Sequence, residues 1–168
     1  MQEMASNRDF KVRSYYEGRT IGRQLDLGQI HALKRLSKRL HVNATMFIGD
    51  FTEANDPRFG IGALMNEYFD VFLHFDGFGP FRLMFRTPAV HADAIEPYLI
   101  GNDFHGVTSQ IVGDDVIVRI ARYEEDGELG YYKEMPELWL DMLLPLHADL
   151  AEGDMSVAIQ QARGGSDR

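Results

Sequence analysis

The densest alternation of apolar and polar positions runs through residues 68–88, YFDVFLHFDGFGPFRLMFRTP. Val71, Leu73 and Phe75 alternate with Asp70, Phe72, His74 and Asp76, and beyond the turn Phe81, Leu83 and Phe85 alternate with Arg82, Met84 and Arg86. A period of two marks a strand with one buried face. The apolar positions are odd-numbered on both strands and opposed residues must share a face, so opposed pairs have an even sum. The tightest closure that obeys this sets Phe75 against Phe81 and leaves residues 76–80, Asp-Gly-Phe-Gly-Pro, as the loop. It also sets His74 against Arg82, Phe72 against Met84 and Asp70 against Arg86. Burying each apolar side chain contributes roughly 1.5–3 kcal/mol, against about 1 kcal/mol at most for an exposed cross-strand ion pair. The apolar face therefore decides the fold.

Elsewhere the pattern predicts a first strand over 10–16, with Phe10, Val12 and Ser14 opposite Lys11, Arg13 and Tyr15. Asp26 suits the cap of a helix whose Ile30, Leu33, Leu36 and Leu40 share one face. Residues 43–51 read as a strand, 53–59 as a loop and 62–67 as a short helix. After Pro88, residues 91–98 predict a short helix ending near Pro97. Residues 107–112 and 116–123, joined by Gly113-Asp114-Asp115, predict a second hairpin. The acidic run 124–128 reads as a surface loop. Residues 137–144 are apolar nearly all round and predict a buried helix, followed by helices over 145–151 and 154–162. This order predicts an α+β fold: a mainly antiparallel sheet of about six strands including two hairpins, helices packed on one face, and a helical C-terminal part. The expected organisation is a disordered tail at 1–9, a single domain at 10–163 and a disordered tail at 164–168.

Composition narrows the chemistry. The 168 residues include no cysteine, so disulfides, thiolate metal sites and a cysteine nucleophile are excluded. A formal net charge of −9 disfavours non-specific attraction to nucleic acid or anionic membrane. No apolar run suits a signal peptide or a membrane span, so the expected location is cytoplasmic.

Several stretches together are similar to an uncharacterised family of bacterial proteins: Tyr15-Tyr16-Glu17, Leu64-Met65 with Tyr68-Phe69-Asp70, Arg82-Leu83-Met84-Phe85-Arg86 before Pro88, and Leu144-Pro145-Leu146 with Ala148-Asp149-Leu150 and Gly153-Asp154. The resemblance covers most of the chain. It departs at residues 76–80, where the family carries a tryptophan-containing loop. It implies a bacterial source and one fold unit, and it brings no catalytic residue.

The polar side of the hairpin, with His74, Asp70, Asp76, Arg82 and Arg86 and with Asp50 nearby, is the densest set of titratable groups. Carboxylate, imidazole and guanidinium together suit acid–base or phosphate chemistry; the plainer reading is ion pairs on the solvent side of a sheet. Phe72 and Met84 lie among these charges. Either the chain's own C-terminal helices cover them, or Phe72, Met84, His74, Arg82 and Phe78 form a partner-binding patch with an aromatic anchor. Lys34, Arg35, Lys38, Arg39 and His41 read as a solvated helix face that complements the helix dipole. No histidine spacing suits a metal and no glycine or serine motif suits a cofactor or nucleophile, so no metal and no cofactor are expected. The leading expectation is a small interaction module that binds a protein partner, with a homo-oligomer as one form of it. The alternatives are a hydrolase or phosphate-directed enzyme using His74 with Asp70 and Arg82 or Arg86, and an acidic inhibitor that imitates nucleic acid.

Overall fold

The structure is a computed structural model and describes residues 13–52, 54–75, 81–102 and 105–122. In chain order the elements are β1 (Arg13–Arg19), α1 (Leu27–Lys34), β2 (His41–Val42), β3 (Met46–Thr52), α2 (Ile61–Glu67), β4 (Val71–Phe75) and β5 (Phe81–Pro88). There follow α3 (Ala92–Ile95), set between 3-10 turns Ala89–His91 and Glu96–Tyr98, then β6 (Ile100–Gly101), β7 (Gly106–Val112) and β8 (Asp115–Arg122). The fold is α+β, with one eight-stranded sheet in the order β2-β3-β1-β4-β5-β8-β7-β6. Every pairing is antiparallel. The expected six strands become eight because β2 and β6 are two residues each, too short to show any alternation. Among the described residues no helix is long and apolar enough to cross a membrane. The expected C-terminal helices, the acidic loop at 124–128 and both expected tails lie outside the described residues.

The first hairpin has the register that parity demands. Phe75 faces Phe81, His74 faces Arg82 and Phe72 faces Met84. Asp70 lies just before β4, where its carbonyl accepts from the Arg86 N–H at 2.8 Å. The second hairpin closes on Val112 and Asp115, so its loop is Gly113-Asp114 alone. Gly113 takes a φ of 60°, which a two-residue hairpin turn requires and a side chain resists. β1 runs to Arg19, beyond the expected end at Tyr16, because Glu17, Gly18 and Arg19 pair with β3 on one side and β4 on the other. Gly18 is glycine for space: a Cβ there would lie 2.7 Å from the Phe69 ring.

α1 starts where the sequence predicts, with a capping box in which Asp26 accepts from Gln29 N–H and Gln29 returns the bond. It ends at Lys34, earlier than the apolar spacing implies. Leu36 N–H turns to the Leu33 carbonyl and Leu40 N–H to Ser37, tightening the chain into three-residue turns. Leu40 is buried and Leu36 is left half-exposed.

The sheet has an apolar cluster on each face. Odd-numbered Val71, Leu73, Phe75, Phe81, Leu83 and Phe85 join Val116, Val118, Ile120 and Ile95 from α3. Even-numbered Phe72 and Met84 join Tyr16, Phe47, Phe51 and Phe69 with Leu33 from α1 and Leu64 and Met65 from α2. Helices therefore lie on both faces, correcting the expected one-sided packing. The pattern misled because β4, at the middle of the sheet, is buried at all five positions and hides its second face behind Asp70 and His74.

Phe72→Ala is expected to lower unfolding free energy by about 3–5 kcal/mol, and Gly18→Ala by about 1–3 kcal/mol through overpacking. Leu27→Ala, at a position 74% exposed, should stay within about 0.5 kcal/mol. Urea denaturation of the three variants checks the order.

Candidate functional site

The charged groups of the first hairpin separate into two ends. At one end the Asp70 carboxylate accepts from Ile21 N–H at 2.8 Å and from Arg23 Nε at 3.0 Å, with Arg86 Nε at 3.7 Å. Arg86 reaches further: Nη1 lies 3.0 Å from Asp115 Oδ2, Nε donates to the Phe69 carbonyl, and Nη2 donates to the Met65 and Asn66 carbonyls. Those last two carbonyls belong to the final turn of α2, where no helical N–H is left to take them. One guanidinium thus ties the end of α2 to β5, to the start of β8 and to the approach to β4. Asp70 and Arg86 are a clamp, with their hydrogen-bonding capacity committed to structure.

At the other end His74 Nε2 lies 3.2 Å from Ser14 Oγ, and the His74 ring stacks on Tyr16 with centroids 4.4 Å apart. Tyr16 in turn donates its hydroxyl to Asp56 Oδ1 at 2.8 Å. Four residues of strand separate the two ends, about 13 Å, so His74 does not meet Asp70 or Arg86. Arg82 is its cross-strand neighbour. Asp76 and Phe78 lie outside the described residues. A serine hydroxyl within reach of an imidazole is the local arrangement of nucleophile and base. Here the serine is 4% exposed and the histidine 6%, which closes the pair to substrate.

Phe72 and Met84, for which the sequence left open cover by the chain's own C-terminal helices or an exposed partner patch, are core residues at 1% exposure each. Phe72 packs on Phe47 and Phe69, under the layer that α1 and α2 supply. Burial on this face removes the docking surface that the alternation implied.

A polar cluster that the sequence reading missed lies on the opposite face. Glu17 is fully buried; its Oε1 accepts from Arg19 Nη2 at 2.6 Å and Nε at 2.8 Å, and its Oε2 accepts from the Tyr15 hydroxyl at 3.1 Å. Arg19 also lines an open cleft of about 380 Å³ with Thr20, Ile21, Gly22, Thr45 and Met46. Tyr15, Glu17 and Arg19 stand at two-residue spacing on one strand, and that spacing was the available signal. The pair cancels its own charge, so the cleft gains little attraction for an anion. Lys34, Arg35, Lys38, Arg39 and His41 are exposed, as expected of a solvated face. Asp115 is held by Arg86, whereas Asp114 sits in an exposed turn. Burial and the neighbouring Glu67 carboxylate push the Tyr68 phenol above its ordinary value, so it stays protonated at physiological pH. Among the described residues no three histidine, aspartate or glutamate side chains gather where a metal could sit.

Among the described residues the β7 margin leaves a run of backbone without an outer strand. β6 pairs only with Val107 and Gly106, so among the described residues Thr108 to Val112 have β8 on one side and no strand on the other. The hairpin closes on Val112 and Asp115, which fixes the alternation: Val112, Gln110 and Thr108 direct their backbone bonds to β8, while Ile111 and Ser109 direct theirs outward. No hydrogen bond among the described residues takes up those outward groups. Ser109, Gln110 and Ile111 are exposed, Ile111 at 66%. The strand reads GVTSQIV, with no charge and no proline. These are the devices that ordinarily keep an edge from pairing.

A scan of protein-family models, a search of curated proteins and a search of solved structures each found no match to this chain. The functional reading rests on geometry alone.

Arg86→Ala should destabilise the protein by about 3 kcal/mol, because it leaves Asp70 and the last α2 carbonyls without their donor. Arg86→Lys should recover less than half of that, since one ammonium cannot span the same acceptors. Urea denaturation of both variants is the measurement.

Proposed function

We propose that this chain is a protein-binding module that takes up an extended segment of its partner alongside β7. The observation that carries the reading is the unguarded edge: outward N–H and C=O groups on Ser109 and Ile111, side chains exposed, and no charge along the strand. Strand addition gains affinity from such main-chain groups and specificity from alternate side chains. The partner-binding expectation is kept, but its place moves from the sheet face to the sheet edge. Both faces of the central hairpin are occupied by the protein's own core.

A second reading, an enzyme of the hydrolase type, is favoured by one contact, Ser14 Oγ to His74 Nε2. It requires an opening of the sheet surface that would admit substrate to two residues at 4% and 6% exposure. Its test is direct. Ser14→Ala and His74→Ala should each abolish any esterase activity of the purified protein, and a wild-type protein inert across a panel of activated esters removes this reading.

For the binding module, Ser109→Pro removes an outward N–H without touching the β8 ladder, and Ile111→Lys adds the missing edge charge. Both should leave the far-ultraviolet circular dichroism and the thermal midpoint nearly unchanged. In pull-downs from the host at physiological salt, both should lose the proteins that wild type retains, whereas Leu27→Lys should keep them. Identical retention by all of these variants would sink the reading.

A further inference from the structure

Accepting strand addition at β7, the ground around that edge indicates the chemistry of the strand it takes. The segment from Ala89 to Leu99 is anchored at both ends of β7. Ala89 N–H donates to the Asp114 carbonyl in the β7–β8 turn, and Ile100, just past Leu99, pairs with Val107. Between those anchors Ile95 is buried in the cluster on the odd-numbered face, so the segment lies over that face and borders the edge. Its outer surface carries two kinds of side chain. Val90 is 81% exposed, Ile100 60% and Leu99 39%, and these with Ile111 form an apolar margin. Asp93 and Glu96 are exposed on the same segment, and Asp114 is exposed at the turn.

Two of the described cations of this region are turned elsewhere. Arg86 is spent on Asp70, Asp115 and the end of α2. Arg119 points to the other face, its Nε on the Met84 sulfur at 3.4 Å. The described edge thus carries no charge, its exposed side chains running from Ser109 and Gln110 to Ile111, with the exposed carboxylates Asp93, Glu96 and Asp114 beside it.

We infer that the occupant is an extended segment of another protein with β-branched side chains at its centre and lysine or arginine around them. The central side chains cover Ile111 and Val90, and the cations meet Asp93, Glu96 and Asp114. A second copy of this chain fits less well. Pairing two β7 edges would bring two such carboxylate rims together in a protein that already carries a net charge of −9, and like charges set against each other oppose association.

The test uses the full chain, labelled for amide exchange by nuclear magnetic resonance, and two synthetic peptides. Both have a Val-Thr-Val-Thr centre; one is flanked by lysine pairs and the other by glutamate pairs. The lysine peptide should slow exchange of the Ser109 and Ile111 amides and bind about tenfold tighter than the glutamate peptide at low salt, the gap narrowing as salt screens the rim. The triple variant Asp93→Asn, Glu96→Gln, Asp114→Asn should reduce that preference to about threefold or less. Equal binding of the two peptides, with both amides protected, overturns the inference and leaves strand addition standing. Failure of the lysine peptide to bind overturns the inference, and the Ser109→Pro and Ile111→Lys pull-downs then decide strand addition separately. Protection of the same amides that rises with protein concentration and needs no peptide overturns it in favour of a second copy.

Discussion

Everything in this fold follows from a central hairpin that is buried on both faces. β4 sits between β1 and β5 in the middle of the sheet, and all five of its positions are buried. A strand so placed cannot leave a polar group to water, so each one on or beside it is answered by the protein. Asp70 is answered by Ile21, Arg23 and Arg86; His74 is answered by Ser14 and by stacking on Tyr16. The charges that looked like a surface site are the means by which a second apolar layer could be laid over the hairpin. Arg86 shows this most clearly, because the same guanidinium that faces Asp70 also closes the last turn of α2.

Among the described residues both faces of the central hairpin are covered, and the two margins of the sheet differ. The opposite margin carries His41 on β2 and the exposed Asp50 on β3, side chains of the kind that discourage pairing. The β7 margin has none. Its neighbour β6 stops after two residues, and the 89–99 segment sets exposed Asp93 and Glu96 beside an uncharged edge. The contrast between the two margins is what supports the proposed strand addition at β7. Two polar pairs, Ser14 with His74 and Glu17 with Arg19, are hydrogen-bonded within the fold.

Much of the local structure was legible along the chain. Parity placed Phe75 against Phe81, His74 against Arg82 and Phe72 against Met84, since a one-residue slip would have turned every apolar side chain to the wrong face. Asp26 announced the start of α1, and Gly113-Asp114-Asp115 announced the second hairpin, whose loop proved one residue shorter. The misses share one cause. β2 and β6 are too short for a period, the extension of β1 through Glu17 and Gly18 breaks its alternation, and the early end of α1 is set by turns at Leu36 and Leu40. In each case pairing or packing with a distant segment overrode the local pattern.

The candidate site divides in the same way. Sequence by itself determined which residues oppose one another within a hairpin, because side-chain direction alternates strictly along a strand and opposed pairs share a face. It could not say whether the face bearing Phe72 and Met84 meets water or helices, because cover comes from residues far away in the chain: Leu33 on α1, Leu64 and Met65 on α2. Nor could it show that β7 lies near the sheet's margin, since a strand's neighbours depend on the order in which all the strands assemble. Tertiary structure made the charged face into a core and placed the uncharged first strand of the second hairpin near the sheet's margin.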